Sequence, residues 1–260
     1  DIDSDGESVV TIKGTPKKEG TATLKVTVDG KTVDRNFTIN KEASNVVLKT
    51  SYDTTADATF GSVTTYTGTV GYQNAWMLTP DVKVVDGQGT DKSADFTVTK
   101  SNLSLITDNN AAAKTFTVAT KATTKVGDYK IVVTLGDQKT EQAIKVVTAV
   151  VAAPTVSLTK IANTQNPTDA QATCSSTGVN SGNVVTEWYK AADTTGTKMG
   201  DSETVSTGDT VSVKVILTAA EGYTFTGGSY DAVQLFGQTA TATIAPDGTT
   251  LTLVVNNQTV

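Results

Sequence analysis

Apolar and polar positions alternate strictly in three stretches, each opening on a glycine. The first is Gly20-Thr21-Ala22-Thr23-Leu24-Lys25-Val26-Thr27-Val28, closed by Asp29-Gly30. The second is Gly127-Asp128-Tyr129-Lys130-Ile131-Val132-Val133-Thr134-Leu135, closed by Gly136-Asp137. The third is Gly208-Asp209-Thr210-Val211-Ser212-Val213-Lys214-Val215-Ile216-Leu217. A period of two puts every second side chain on one face of a half-buried strand. Recurrence at roughly domain spacing predicts an array of all-β modules.

Around these stretches the chain divides into three units. Residues 1–43 predict strands at 9–13, 21–28 and 31–39, the last two joined by the hairpin turn Asp29-Gly30. Three or four strands cannot close a sandwich, which wants about seven. This unit therefore reads as the incomplete, rear half of a module. Residues 44–149 predict seven strands, at 46–52, 62–72, 83–85, 96–99, 115–119, 129–135 and 140–147. Residues 150–154 read as a short, semi-rigid linker ending in Pro154. Residues 150–260 predict strands at 155–160, 170–174, 184–189, 210–218, 223–225, 239–245 and 249–255, with Asp247-Gly248 as a further hairpin turn. No segment sustains a 3.6-residue period, so almost no helix is expected.

Composition narrows the function classes. A chain of 260 residues fits two to three modules of about 100 residues each. Threonine and valine suit pleated strands, while glycine, aspartate and asparagine suit turns. The net charge is -6 with charges scattered, which speaks against a nucleic-acid surface. No window of about 18 apolar residues offers membrane insertion. No leader or sorting tail is visible, and any such segment is expected to lie outside this chain. Cys174 is the single cysteine, so no intrachain disulfide can form. That fits the cytosol and also the secreted proteins of many Gram-positive bacteria. The chain has no histidine, which removes Ser-His-Asp and Cys-His catalysis and histidine-based zinc sites.

Certain residues then carry a resemblance. Asp3-Ser4-Asp5-Gly6, Gly20-Thr21-Ala22-Thr23-Leu24, Val26-Thr27-Val28 and Asp29-Gly30-Lys31 resemble the C-terminal half of a bacterial immunoglobulin-like domain of the group-2 type. Leu217-Thr218-Ala219-Ala220-Glu221-Gly222-Tyr223-Thr224-Phe225-Thr226-Gly227 and Gly237-Gln238-Thr239-Ala240-Thr241-Ala242 resemble repeats of large Firmicutes surface proteins, often found beside S-layer-homology modules. The second unit is similar to immunoglobulin-like folds more loosely, through Gly127, Tyr129 and Ile131. These resemblances imply tandem immunoglobulin-like β-sandwiches in an extracellular protein of a bacterial cell surface or wall. The implied role is non-catalytic: a spacer or stalk, or modules for adhesion to a protein or glycan. The alternative is an accessory carbohydrate-binding region of a large secreted glycosidase.

Several candidate residues have plainer roles. Asp1-Ile2-Asp3-Ser4-Asp5-Gly6 opens like a calcium loop, but the twelfth position is Ile12 rather than glutamate, so an acidic turn is expected and no metal. Cys174 precedes Trp188 by fourteen residues, like the strand-B cysteine and strand-C tryptophan of immunoglobulin domains, with Val213 and Val215 where a second cysteine would fall. A small buried thiol and a core anchor are expected. Tyr129 occupies the place of a tyrosine corner. Tyr66, Tyr72, Trp76, Trp188 and Tyr189 are the candidate ligand-binding aromatics, since flat rings can stack on sugar faces. Lys160, Glu187 and Asn256 or Asn257 invite a Lys–Asn isopeptide bond only if buried. The carboxylate pairs Asp53 with Asp57 and Asp91 with Asp95 lie in polar turns and read as solvated loop charge, so no catalytic residue and no cofactor is expected. The half-module leaves open sheet edges, predicting that residues 1–43 dock onto the second unit or pair between molecules.

Overall fold

A computed structural model of the chain describes residues 20–39, 45–107 and 113–260. The strand at 9–13 and the acidic turn at 1–6 lie outside these residues. Among the described residues the only helical turns are two 3₁₀ segments, Ser93–Asp95 and Pro167–Asp169.

The first strands, β1 (Gly20–Val28) and β2 (Lys31–Ile39), form an antiparallel hairpin running from Gly20 opposite Ile39 to Val28 opposite Lys31. Its turn residues Asp29 and Gly30 have φ of 48° and 75°. Two consecutive positive φ values match the twist of the flanking strands, which is why Asp-Gly serves here. One face is polar: Thr23 Oγ1 donates to Asn36 Oδ1 at 2.7 Å, and the Thr27 and Thr32 hydroxyls lie 2.9 Å apart. The other face carries Val26, Val28, Val33 and Phe37, all exposed.

The second unit contains β3 (Val47–Tyr52), β4 (Ala58–Thr59), β5 (Thr65–Gln73), β6 (Asp81–Asp86), β7 (Phe96–Thr99), β8 (Lys114–Thr120), β9 (Gly127–Leu135) and β10 (Gln138–Val147). One sheet runs β3-β5-β8-β7 and the other β4-β10-β9-β6. In immunoglobulin lettering these are an ABED sheet and a CFG sheet, with β4 added in parallel to the last strand. The unit is thus an immunoglobulin-like sandwich by its strand order. Its core joins Tyr66, Val70, Val82, Val84, Phe116, Val118, Ile131 and Val133 from both inner faces. Gly68 is buried opposite Tyr52, and a Cβ there would overlap the Phe116 ring. Glycine at this point lets a phenylalanine from the neighbouring strand lie across β5.

The third unit contains β11 (Ala149–Val150), β12 (Val156–Ser157), β13 (Thr173–Cys174), β14 (Val179–Tyr189), β15 (Thr210–Ala219), β16 (Tyr223–Thr224), β17 (Gln234–Leu235), β18 (Gln238–Thr239), β19 (Thr241–Ile244) and β20 (Thr250–Thr259). A four-stranded antiparallel sheet runs β14-β15-β20-β19, and its inner residues share one core with the short ladders β12–β13 and β17–β18. Trp188, fully buried, anchors that core beside buried Cys174. The indole Nε1–H donates to the Ala170 carbonyl at 2.7 Å, so the ring's one polar atom is satisfied. The cores of the second and third units share no residue. The fold is all-β, and the long alternating strands sit where the pattern predicts.

Two expectations change. The strands expected at 155–160 and 170–174 pair only with each other, at Val156–Ser157 and Thr173–Cys174. The expected linker begins as a strand: β11 pairs in parallel with β16, Ala149 opposite Tyr223 and Val150 opposite Thr224.

Candidate functional site

The five candidate aromatics separate into two groups. Tyr66 is fully buried and its hydroxyl donates to the Ala56 carbonyl at 2.9 Å. Trp188 is equally inaccessible and stacks on Phe236, with centroids 6.3 Å apart and planes 18° apart. Tyr189 is buried, donates to Glu187 Oε2 at 2.9 Å, and has the Lys214 ammonium 5.6 Å from its ring centroid. A ring with no free face cannot stack on a sugar, so these three act as structure. Tyr72 and Trp76 are half-buried. They lie at the end of β5 and in the loop that follows it. That loop is fixed by Met77 N–H donating to Ile106 O and Ile106 N–H to Leu78 O, both at 2.8 Å. Met77 and Leu105 are exposed on the same tied loops. Tyr72 packs against the core, and Tyr72 Oη and Trp76 Nε1 are both buried, so Met77 and Leu105 are the apolar side chains exposed at this pole.

The other candidates take structural roles. Tyr129 Oη donates to the Lys125 carbonyl at 2.9 Å, the tyrosine-corner bond, and its ring packs edge-on against Phe96. Asp53 accepts the Thr67 N–H and Asp91 the Ser93 N–H, each at 2.8 Å. These backbone bonds hold both carboxyls below their usual range. Burial pushes the Glu187 carboxyl up, but bonds from Lys214 and Tyr189 outweigh it and leave it lowered. A glycosidase acid needs the opposite perturbation, a raised carboxyl. Lys160 donates instead to the Thr259 carbonyl at 2.8 Å, while Glu187 pairs with Lys214 at 2.5 Å, so the isopeptide set is committed elsewhere. Among the described residues no cluster of three or more His, Cys, Asp or Glu side chains is placed to hold a metal.

Three features had no signal in the pattern. The outer face of the ABED sheet is rich in hydroxyls, with Thr67, Thr117 and Thr99 in one cross-strand row, Ser51, Thr69 and Thr115 in the next, and Lys49 as its charged member on β3. The opposite outer face carries Lys83, Lys130, Lys139, Glu141 and Lys145. There Glu141 is held down to about 2 by hydrogen bonds from Lys130 and Lys139. A depression of about 330 Å³ on that side is lined by Asp57, Tyr129, Lys130, Ile144 and Lys145. The junction of the second and third units is the third feature. Phe60 packs edge-on against Tyr223 across it, with centroids 5.5 Å apart, and Lys125 pairs with Glu221 at 2.9 Å. A cross-unit contact joins residues too distant in sequence for any local pattern to announce.

A family described as a domain of unknown function (DUF3859) matches residues 30–146, from the turn of the first hairpin to the last strand of the second unit. No curated protein matches the chain. Among solved structures, an I-band fragment from titin is similar at 9% identity and a TM-score of 0.32, covering 84% of this chain and 74% of that one. The two immunoglobulin domains of DIP-gamma are similar at 9% identity and a TM-score of 0.26, covering 66% of this chain and 91% of that one. A complex of Dpr11 with DIP-gamma gives 9% identity and a TM-score of 0.28, covering 66% and 92%. Superpositions this loose add nothing to the strand order, which alone carries the fold assignment.

Proposed function

We propose that the chain is a non-catalytic array of immunoglobulin-like modules on a bacterial cell surface, serving as a spacer or as an adhesion region for an extracellular protein or glycan. The observation that carries this reading is the end-to-end arrangement. Two sandwiches with separate cores follow one another along a single extended segment, β10 into β11, which suits projecting a distal part. The candidate chemical side chains support it: Asp53 and Asp91 bind turn amides, Tyr129 makes a corner, and Tyr66, Tyr189 and Cys174 are buried in cores. The extracellular bacterial setting rests on the resemblance of the first and third units. The hairpin β1–β2, with two strands and an exposed apolar face, is proposed to pair by its edges with a neighbouring sheet, because an isolated two-stranded hairpin is marginally stable in water.

A second reading, carbohydrate binding, is favoured by the half-buried Trp76 ring beside exposed Met77. The test is a glycan and matrix-protein binding screen of the intact chain with Trp76→Ala alongside. Adhesion predicts a saturable hit that Trp76→Ala abolishes while the spectrum of the folded protein is unchanged. A clean negative favours the spacer. Release of product from any arrayed glycan contradicts the non-catalytic reading.

A further inference from the structure

We infer that the second and third sandwiches are locked into one rigid body at their junction, a keyed contact in which Phe60 of one unit seats on Gly222 and Tyr223 of the other. This inference does not depend on whether the array binds a partner. Domains in one chain move relative to one another unless something at their boundary removes the freedom. Here the boundary has almost none left.

The backbone is fixed first. Val147 accepts the Phe60 N–H at 2.9 Å and is still held by the second unit. Ala149 N–H donates to Gly222 O at 3.0 Å, and Val151 N–H donates to Thr224 O at 2.8 Å, so the third unit already holds the chain there. Thr148 alone lies between the last bond to one unit and the first to the next. A hinge needs a few residues free to change φ and ψ. Beyond it, Val151 is 1% exposed, and the buried Tyr230 hydroxyl donates to its carbonyl at 2.7 Å.

Side chains then key the two surfaces. A Cβ at Gly222 would come within 2.5 Å of the Phe60 ring, so glycine is required for the seat. Gly222 also has a φ of 83°, where a side chain would be strained. A Cβ at Gly61 would lie 3.4 Å from Tyr223 Oη. Tyr223 in turn rests on Gly178, where a Cβ would be 2.6 Å from its ring. The ring is therefore held from behind by its own unit and packs at a steep angle against Phe60. The ion pair Lys125–Glu221 is exposed and contributes little beside this packing.

The test is measurement of residual dipolar couplings on the intact chain in a dilute aligned medium, for wild type and Phe60→Ala. Phe60 is only half-buried, so its truncation leaves both sandwiches folded, which the amide spectra verify. A single alignment tensor describing both units in wild type, and loss of that common tensor in Phe60→Ala, is the expected result. Wild type should keep it in 1 M salt, where the Debye length is about 3 Å and the surface ion pair is screened. Two different tensors in wild type would overturn the inference. So would a single tensor that survives Phe60→Ala, since the lock would then not reside in this contact. Loss of the common tensor in salt alone would also overturn it, by moving the coupling to Lys125–Glu221.

Discussion

Truncation of Trp188 tests how the third unit is built. The indole is fully buried and stacks on Phe236. Replacing a buried tryptophan by alanine costs about 3–5 kcal/mol through lost transfer energy and the cavity left behind. The Ala170 carbonyl, bonded to Nε1–H at 2.7 Å, would also lose its partner inside the core. An orphaned buried acceptor costs about 1–3 kcal/mol. The two terms overlap, because a cavity that relaxes also re-solvates the carbonyl, so the expected loss is about 4–6 kcal/mol. A domain's whole stability is about 5–15 kcal/mol. Trp188→Ala should therefore leave the third unit at its folding threshold while the second unit, with a separate core, stays folded. Trp188→Phe keeps a ring but no donor, and should cost about 2–3 kcal/mol, mostly from the carbonyl. Urea unfolding followed by circular dichroism, with amide spectra resolving the two units, reads both values. A loss below about 1 kcal/mol for the alanine variant, or a phenylalanine variant equal to wild type, would refute the anchoring role.

Other outcomes follow from single contacts. Gly68→Ala drives a methyl into the Phe116 ring and should cost about 1–3 kcal/mol; adding Phe116→Leu should recover part of it, as a non-additive double-mutant cycle in urea. Tyr129→Phe removes the corner bond to Lys125 O and should lower stability by about 0.5–1.5 kcal/mol, read as a shift of the urea midpoint. Glu141 has a folded pKa of about 2 against an ordinary 4.5, so the unfolded state binds its proton first as pH falls. Its contribution is complete above the unfolded value and is lost between about 4.5 and about 2. Glu141→Gln should flatten the urea-midpoint profile in that window, and an unchanged profile would contradict the Lys130–Glu141–Lys139 cluster. Trp76→Ala, in a half-buried loop, should stay within about 1 kcal/mol of wild type by the same assay.

Much of the fold was legible where local chemistry and tertiary structure agree. Asp29-Gly30 announces its hairpin because two consecutive positive φ values are nearly confined to such dipeptides. The Gly127–Leu135 strand shows its inner face at Tyr129, Ile131, Val133 and Leu135 because Asp128, Lys130 and Thr134 interrupt the other face, although Val132 there is buried too. Tyr129 and Trp188 were legible from their places relative to strands. What was not legible depends on partners far away in sequence. The two-residue strands β4, β17 and β18 are too short to show a period. The stretch at 155–160 carries apolar Val156 and Leu158 at alternate positions, yet only Val156 and its neighbour Ser157 find a ladder. Val150 looks like linker because nothing local reveals Thr224 beside it. At the candidate site, aromatic content alone could not separate Trp76 from Trp188, since burial is decided by which residues the sheets bring over each ring. The pairing of Glu187 with Lys214 is likewise a matter of cross-strand register.

The second and third units share one uninterrupted, bonded segment. Amide hydrogen exchange on the intact chain tests it most directly, because protection reports the free energy needed to open each bond. The Phe60 amide is bonded to the last strand of the second unit, and the Ala149 and Val151 amides, beyond Thr148, to the third. They should exchange slowly, with protection approaching that of Ile131 and Val215 in the two cores. If Ala149 and Val151 exchange at the rate of unstructured amides while the cores stay protected, the segment is a loose linker and not a bonded one shared by the two units.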